Sequence, residues 1–237
     1  MYYNSALLLA DAEKLGISLS DDALAKFDLL AHLMIEQNKT MNLTAITDPD
    51  GIAVKHFADS LSALTAADFE SGARVLDVGT GAGFPGLPLL IVRPDLKLTM
   101  LDSTAKKLKY VSSAAESLGL SPEILHARAE EAGRKPEYRE GFDIVCSRAV
   151  AALNVLCEYC LPFVKVGGCF IAMKAAKAGE EIEQAQAAIK LLGGKITDEK
   201  SFKLSDGGER NLIVIKKISH IPPKYPRVSA QIAKKPL

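Results

Sequence analysis

The stretch Arg74-Val75-Leu76-Asp77-Val78-Gly79-Thr80-Gly81-Ala82-Gly83-Phe84-Pro85-Gly86 constrains the fold more than any other part of the chain. It passes from an apolar strand through a glycine turn into an apolar helical pattern. Glycine tolerates the sharp reversal, and without a Cβ it lets a ligand lie against main-chain N–H groups. The strand-turn-helix order then repeats. Strands are expected at Arg74–Val78, Lys97–Asp102, Glu123–His126, Phe142–Cys146 and Cys169–Lys174, with helices at Pro85–Val92, Ala105–Leu118, Ala152–Leu161 and Gly179–Leu192. This alternation predicts a parallel sheet with helices on both faces. Downstream the helices stop. Lys195–Leu204 and Asn211–Ile218 are strand patterns around Ser205-Asp206-Gly207-Gly208, a hairpin signal.

The N-terminal region reads as helical instead. Ser20-Asp21-Asp22 opens a helix carrying Leu24, Phe27, Leu30 and Met34 at helical spacing. Asp48-Pro49 is a second start signal, followed by an apolar pattern from Ile52 to Leu64. Between them, Asn38-Lys39-Thr40-Met41-Asn42-Leu43-Thr44 has the composition of a capped loop. The expected organisation is an N-terminal helical cap (1–70), an α/β domain (71–219) and a tail (220–237). From Lys216 onward there are six Lys or Arg, no acid, and four prolines. Such a segment is either a solvated terminus or a contact to a phosphate backbone.

A chain of 237 residues, 48% of them hydrophobic, can bury a continuous core. Its 29 basic and 29 acidic residues cancel, so global charge does not point to nucleic acid. No stretch approaches the roughly 20 apolar residues of a membrane span, and the N-terminus lacks a basic signal-peptide region. A cytoplasmic monomer without membrane contact is expected. Four cysteines are too few for a disulfide framework. Cys157 and Cys160 share a helix face with no second pair at zinc-ligand spacing, so they read as core, as do Cys146 and Cys169, and no metal is expected.

The neighbours of the glycines decide what the turn would hold. Gly81-x-Gly83-x-x-Gly86 formally fits a dinucleotide fingerprint. A nicotinamide cofactor, however, rests its pyrophosphate on the first turn of the following helix, where Pro85 removes a donor. S-adenosylmethionine has no phosphate; it brings an ammonium and a sulfonium. Asp77 would place a carboxylate near the ammonium, and Asp102, at the end of the next strand, would accept from ribose hydroxyls. A terminal antiparallel hairpin also favours the seven-stranded methyltransferase architecture over an oxidoreductase. Arg128-Ala129-Glu130 follows the third strand, where adenine would rest. Ser147-Arg148-Ala149 follows the fourth, at the edge where open α/β sheets bind ligands.

The methyl acceptor is narrowed by what is missing. Ser147-Arg148-Ala149-Val150 stands where enzymes acting on exocyclic amines carry an Asn/Asp-Pro-Pro-aromatic pattern. Cytosine C5 needs a cysteine nucleophile, and Cys146 falls in a buried strand without the usual preceding proline. An acceptor that already owns a lone pair remains, such as guanine N7, for which alignment suffices. Arg148 would position it through contacts other than N7.

Taken motif by motif, the chain resembles the bacterial small-subunit ribosomal RNA guanine-N7 methyltransferase family, also called glucose-inhibited division protein B. The matching segments are Asn42-Leu43-Thr44, His56-Phe57-Ala58-Asp59-Ser60, Asp77 to Gly86 with its Phe84-Pro85-Gly86 ending, Leu101-Asp102-Ser103, Arg128-Ala129-Glu130, Ser147-Arg148-Ala149 and Tyr225-Pro226-Arg227. The resemblance implies a Rossmann-like class I fold with a seven-stranded, mostly parallel sheet. It implies S-adenosylmethionine contacts at Gly79, Phe84, Asp102, Ser103, Thr104, Ala129, Glu130 and Arg148, to which the turn adds Asp77, Gly81 and Gly83. His56 and Asp59 would line the catalytic cleft beside Arg148. Small-subunit rRNA would be held by Asn38, Asn42, Thr44, Lys174, Arg227, Lys234 and Lys235. The chain departs from the pattern at Ala175, Ala230 and Ile232, where Gly, Gly and Pro are usual. Two alternatives remain open: an NAD(P)-dependent oxidoreductase, and a non-catalytic RNA-binding relative.

Overall fold

A computed structural model describes residues 1–175 and 178–237. Five parallel strands form the body of its sheet: β1 (Arg74–Val78), β2 (Lys97–Asp102), β3 (Glu123–His126), β4 (Phe142–Arg148) and β5 (Val164–Lys174). The hairpin β6 (Gly194–Lys203) and β7 (Glu209–Lys217) completes it, with β7 inserted antiparallel beside β5. The order is β3-β2-β1-β4-β5-β7-β6, which bears out the expected seven-stranded architecture. Strand order reverses between β1 and β4, so a crevice opens at their carboxyl ends.

Alternation along the central strands sorts side chains to two faces. Val75, Ile144 and Ile171 point to one cluster, Leu76, Val145 and Phe170 to the other. The first face is covered by α1 (Ser5–Lys14), α2 (Asp21–Met41), α5 (Gly86–Val92) and α6 (Ala105–Ser117). Behind it, the Phe27 and Phe57 rings lie 4.8 Å apart, both fully buried. The second face carries α7 (Ala129–Ala132), α8 (Leu153–Cys160) and α9 (Ala178–Leu191). The N-terminal helices therefore share one core with the sheet. Buried Asp11 of α1 strengthens the join by accepting from the Ser205 N–H and hydroxyl in the hairpin.

The Ile52 to Leu64 pattern does not form one regular helix. Asp48 caps the short α3 (Pro49–Gly51) by accepting from the Gly51 N–H at 2.7 Å. The chain then widens into a π-helical run, Ile52–Ala58, returns to α4 (Asp59–Leu61) and tightens into a 3₁₀ turn, Ser62–Thr65. Six of the seven residues of the π run are buried, and Lys55 alone reaches solvent. Apolar periodicity cannot distinguish these windings, and π-helical turns concentrate at functional sites.

The tail is docked rather than free. Ile221, Tyr225 and Ile232 are buried, and α10 (Ser229–Lys234) rests near α8. The Arg139 guanidinium donates to the carbonyls of Gly133, Tyr225 and Ile221. Ile232, at one of the departures from the family pattern, is the apolar anchor of α10. No helix among the described residues is long and apolar enough to cross a membrane.

Candidate active site

A crevice of about 550 Å³ lies where the sheet reverses order. Its floor is the glycine turn. Gly79, Gly81 and Gly83 hold φ of +75°, +58° and +95°. A Cβ at Gly83 would stand 2.6 Å from Leu87 Cδ1, whereas one at Gly81, which lines the crevice, would meet only the Gly79 carbonyl oxygen at 3.9 Å. The turn's N–H groups are mostly satisfied internally. Gly79 and Thr80 donate to the Leu101 carbonyl, Gly83 and Phe84 to the Thr80 carbonyl, and Gly81 to Asp102 Oδ2 at 3.0 Å. Pro85 has no N–H, and that of Gly86 is held by Asp77. Of the turn's N–H groups only that of Ala82 has no protein acceptor among the described residues, so a ligand would meet one free donor there rather than the several that cradle a pyrophosphate.

Asp102 ties two loops together, since its Oδ1 accepts from the Thr104 N–H at 2.8 Å while Oδ2 serves Gly81. Each oxygen keeps a lone pair for a further donor. Ser103, Thr104, Ala129 and Glu130 continue the wall. Glu130 is only 7% exposed, and no described residue donates a hydrogen bond to its carboxylate.

The opposite wall is assembled by charge. Arg148 ends β4 and directs Nη1 at Asp59 Oδ2 (2.7 Å) and the Lys55 carbonyl (2.9 Å). Its guanidinium also lies 5.3 Å from the Phe84 ring centre, a cation–π contact. Asp59 Oδ1 accepts from Arg210 Nε at 3.0 Å, and Arg210 also pairs with Asp206 in the hairpin. His56 stacks on Phe84 with ring centres 4.6 Å apart and planes 3° from parallel. Its Nε2 is 2.9 Å from the Thr44 hydroxyl. Burial, helped by the Arg148 charge, pushes this imidazole down to about 3, so it is neutral near pH 7.

Several residues singled out in the sequence occupy other places. Asp77 lies behind the turn, fully buried, with Oδ2 accepting from the Gly86 N–H at 3.0 Å. It does not line the crevice, where the sequence reading expected it beside the cofactor's ammonium. Its Oδ1 and the Thr80 hydroxyl lack well-formed partners, so burial dominates and pushes the carboxyl up to about 6. Gly83 and Asp59 also stand behind the lining. Asn38 closes its loop through a reciprocal pair with the Thr44 backbone, and exposed Asn42, at φ +48°, terminates α2. Both thus shape the end of α2 and the turn after it, while Thr44 itself reaches the crevice.

Lys174 and Arg227, expected at the RNA, are both paired with protein partners in this structure. Lys174 Nζ donates to the Ala151 carbonyl and pairs with Glu181, each at 2.6 Å. Arg227 makes a fork with fully buried Glu158, whose Oε1 also accepts the Arg227 N–H at 2.7 Å. Lys234 and Lys235 are exposed and outside the crevice. Sequence reasoning missed Arg210, Asp206, Tyr159 and Ser229. A lone arginine entering the apolar run of β7 was the available signal for Arg210. All four cysteines are free and buried with thiols pushed upward by burial, and no group of metal ligands occurs among the described residues.

A parallel sheet closed by an antiparallel hairpin, with a crevice at its order reversal, defines a Rossmann-like class I methyltransferase fold. The solved structure of TrmN from Thermus thermophilus is similar, with a TM-score of 0.53 and 21% identity over 67% of this chain and 48% of that one. The [4+2]-cyclase SpnF is equally similar, at TM-score 0.54 and 17% identity over 68% of this chain and 82% of its own. Architecture alone thus leaves the reaction open. The family described as rRNA small subunit methyltransferase G matches residues 23–213. A ribosomal RNA small subunit methyltransferase G from Acetivibrio thermocellus is 48% identical over 98% of this chain and 96% of its own length. The chain belongs to this methyltransferase family, and the oxidoreductase alternative falls with that finding.

Proposed function

We propose that the protein transfers a methyl group from S-adenosylmethionine to N7 of a guanine in small-subunit (16S) ribosomal RNA. The names carried by its relatives support the RNA substrate. The crevice fits the cofactor on two observations. Glu130 lines the crevice with a carboxylate to which no described residue donates, suited to a ligand amine, and Asp102 holds lone pairs beside the turn, suited to ribose hydroxyls. When bound, the cofactor supplies an electrophilic methyl on a sulfonium. Gly81, Asp102, Ser103, Thr104, Ala129 and Glu130 would hold it.

The observation that carries the N7 assignment is the lack, among the described residues, of an available base on the acceptor wall. His56, held near pKa 3, takes up a proton too weakly to deprotonate an amine. Asp59 is held between two arginines, and the cysteines are buried thiols. An acceptor with its own lone pair needs none of them, only alignment. Phe84, His56 and Arg148 offer planar surfaces against which a purine would be oriented.

The test is transfer of radiolabelled methyl to small subunits from a strain lacking the endogenous enzyme, mapped by primer extension after borohydride–aniline cleavage. A stop at one guanine is expected. Methyl transfer elsewhere, or none to any RNA form, overturns the assignment. RNA binding that ignores the cofactor, without turnover, would favour a non-catalytic relative.

A further inference from the structure

We propose that the C-terminal segment is a wall of the cofactor crevice, with Ser229 contacting the adenine end of the bound nucleoside. This deepens the S-adenosylmethionine reading and rests on it. The segment lies beyond residues 23–213, the span that the family model matches. Its composition suggested an arm reaching for RNA, yet the fold turns it back across the carboxyl edge of the sheet.

Three observations carry the proposal. Ser229, the first residue of α10, lines the same crevice as Glu130 and Asp102. A neighbouring cavity of about 290 Å³ lies between Val228, Ser229 and Ala230 on one side and Arg128, Glu130 and Arg134 on the other. The tail therefore faces α7, where the Glu130 carboxylate sits. Finally, the approach to Ser229 is fixed on both sides. Arg227 is locked to Glu158, and Ile232 is fully buried. A hydroxyl held this way can donate or accept at a purine's polar edge.

The segment then contributes to affinity without touching the transferred methyl. By linkage, a nucleoside that contacts α10 holds α10 in place by the same free energy. The experiment titrates S-adenosylhomocysteine into the full chain and into Ser229→Ala and Ser229→Trp by calorimetry, and follows amide exchange over 228–234 with and without it. Expected are about fivefold weaker binding for the alanine, on the scale of one net hydrogen bond, and at least about tenfold for the bulky tryptophan. Amides of α10 should slow on binding in the wild-type chain. Unaltered melting of the ligand-free variants separates these losses from misfolding. Wild-type binding together with unchanged affinity of Ser229→Trp overturns the proposal alone. No binding by the wild-type chain overturns the cofactor reading and this inference with it.

Discussion

The two walls of the crevice are built by different means. The cofactor wall is mostly backbone: the glycine turn satisfies its own N–H groups, and Asp102 fastens it to the next loop 21 residues on. The acceptor wall is mostly side chain. Arg148 meets Asp59 across 89 residues of sequence, and Arg210 reaches the same carboxylate across 151. A backbone-built wall tolerates changes of side chain but not of φ. A charge-built wall tolerates backbone drift but fails when one member is removed, because its partners stay behind desolvated.

Replacing Arg148 with Ala should give the largest effect. Activity should fall by about a thousandfold, ~4 kcal/mol, while S-adenosylhomocysteine binds within a few-fold of wild type. Comparable losses in turnover and cofactor binding would mean that the two walls are not separable. Next, Asp59→Asn leaves Arg148 and Arg210 without their shared anion and should cost about 3 kcal/mol of stability, read from denaturant midpoints. If Asp59→Asn melts like wild type, the charge-built description of this wall fails.

The third prediction uses pH. Asp77 has its folded pKa raised from 3.8 to about 6 by burial. Its protonated form is favoured in the folded state, so this contribution is complete below pH 3.8 and is lost as pH rises through about 6. Asp77→Asn should therefore gain on wild type across that window, by roughly 2–3 kcal/mol given 1.36 kcal/mol per pKa unit. A stability difference that stays flat from pH 4 to about 7 would contradict it. The smallest effect belongs to Gly81→Ala, where a Cβ at φ +58° costs about 1 kcal/mol of stability. Gly81 lines the crevice, so cofactor affinity should fall as well; unchanged affinity would place the nucleoside elsewhere.

Much of the cofactor wall was legible because it is local. β1, β2 and β3 end where the apolar patterns end, since short strands flanked by glycine, proline or polar residues have few alternative limits. The acceptor wall was legible only in part. Arg148 and His56 stood in recognisable motifs, but nothing near Arg210 in sequence shows that it shares a carboxylate with Arg148. The pairing of Lys174 and Arg227 was hidden for the converse reason. A basic residue looks free until its buried partner, Glu181 or Glu158, is brought to it by folding.

The sequence alone determined the alternation of strand and helix, the hairpin that closes the sheet and the glycine turn, because each is dictated by contacts within a few residues. Only the tertiary structure decided which charges are free and which are paired. It also decided that Asp77 supports the turn from behind, that residues 52–58 widen into a π-helix against Arg148, and that the tail folds back onto the crevice. The physical reason is that burial and ion pairing depend on distance in space, and segments as remote as Asp59 and Arg210 become neighbours only when the core has formed.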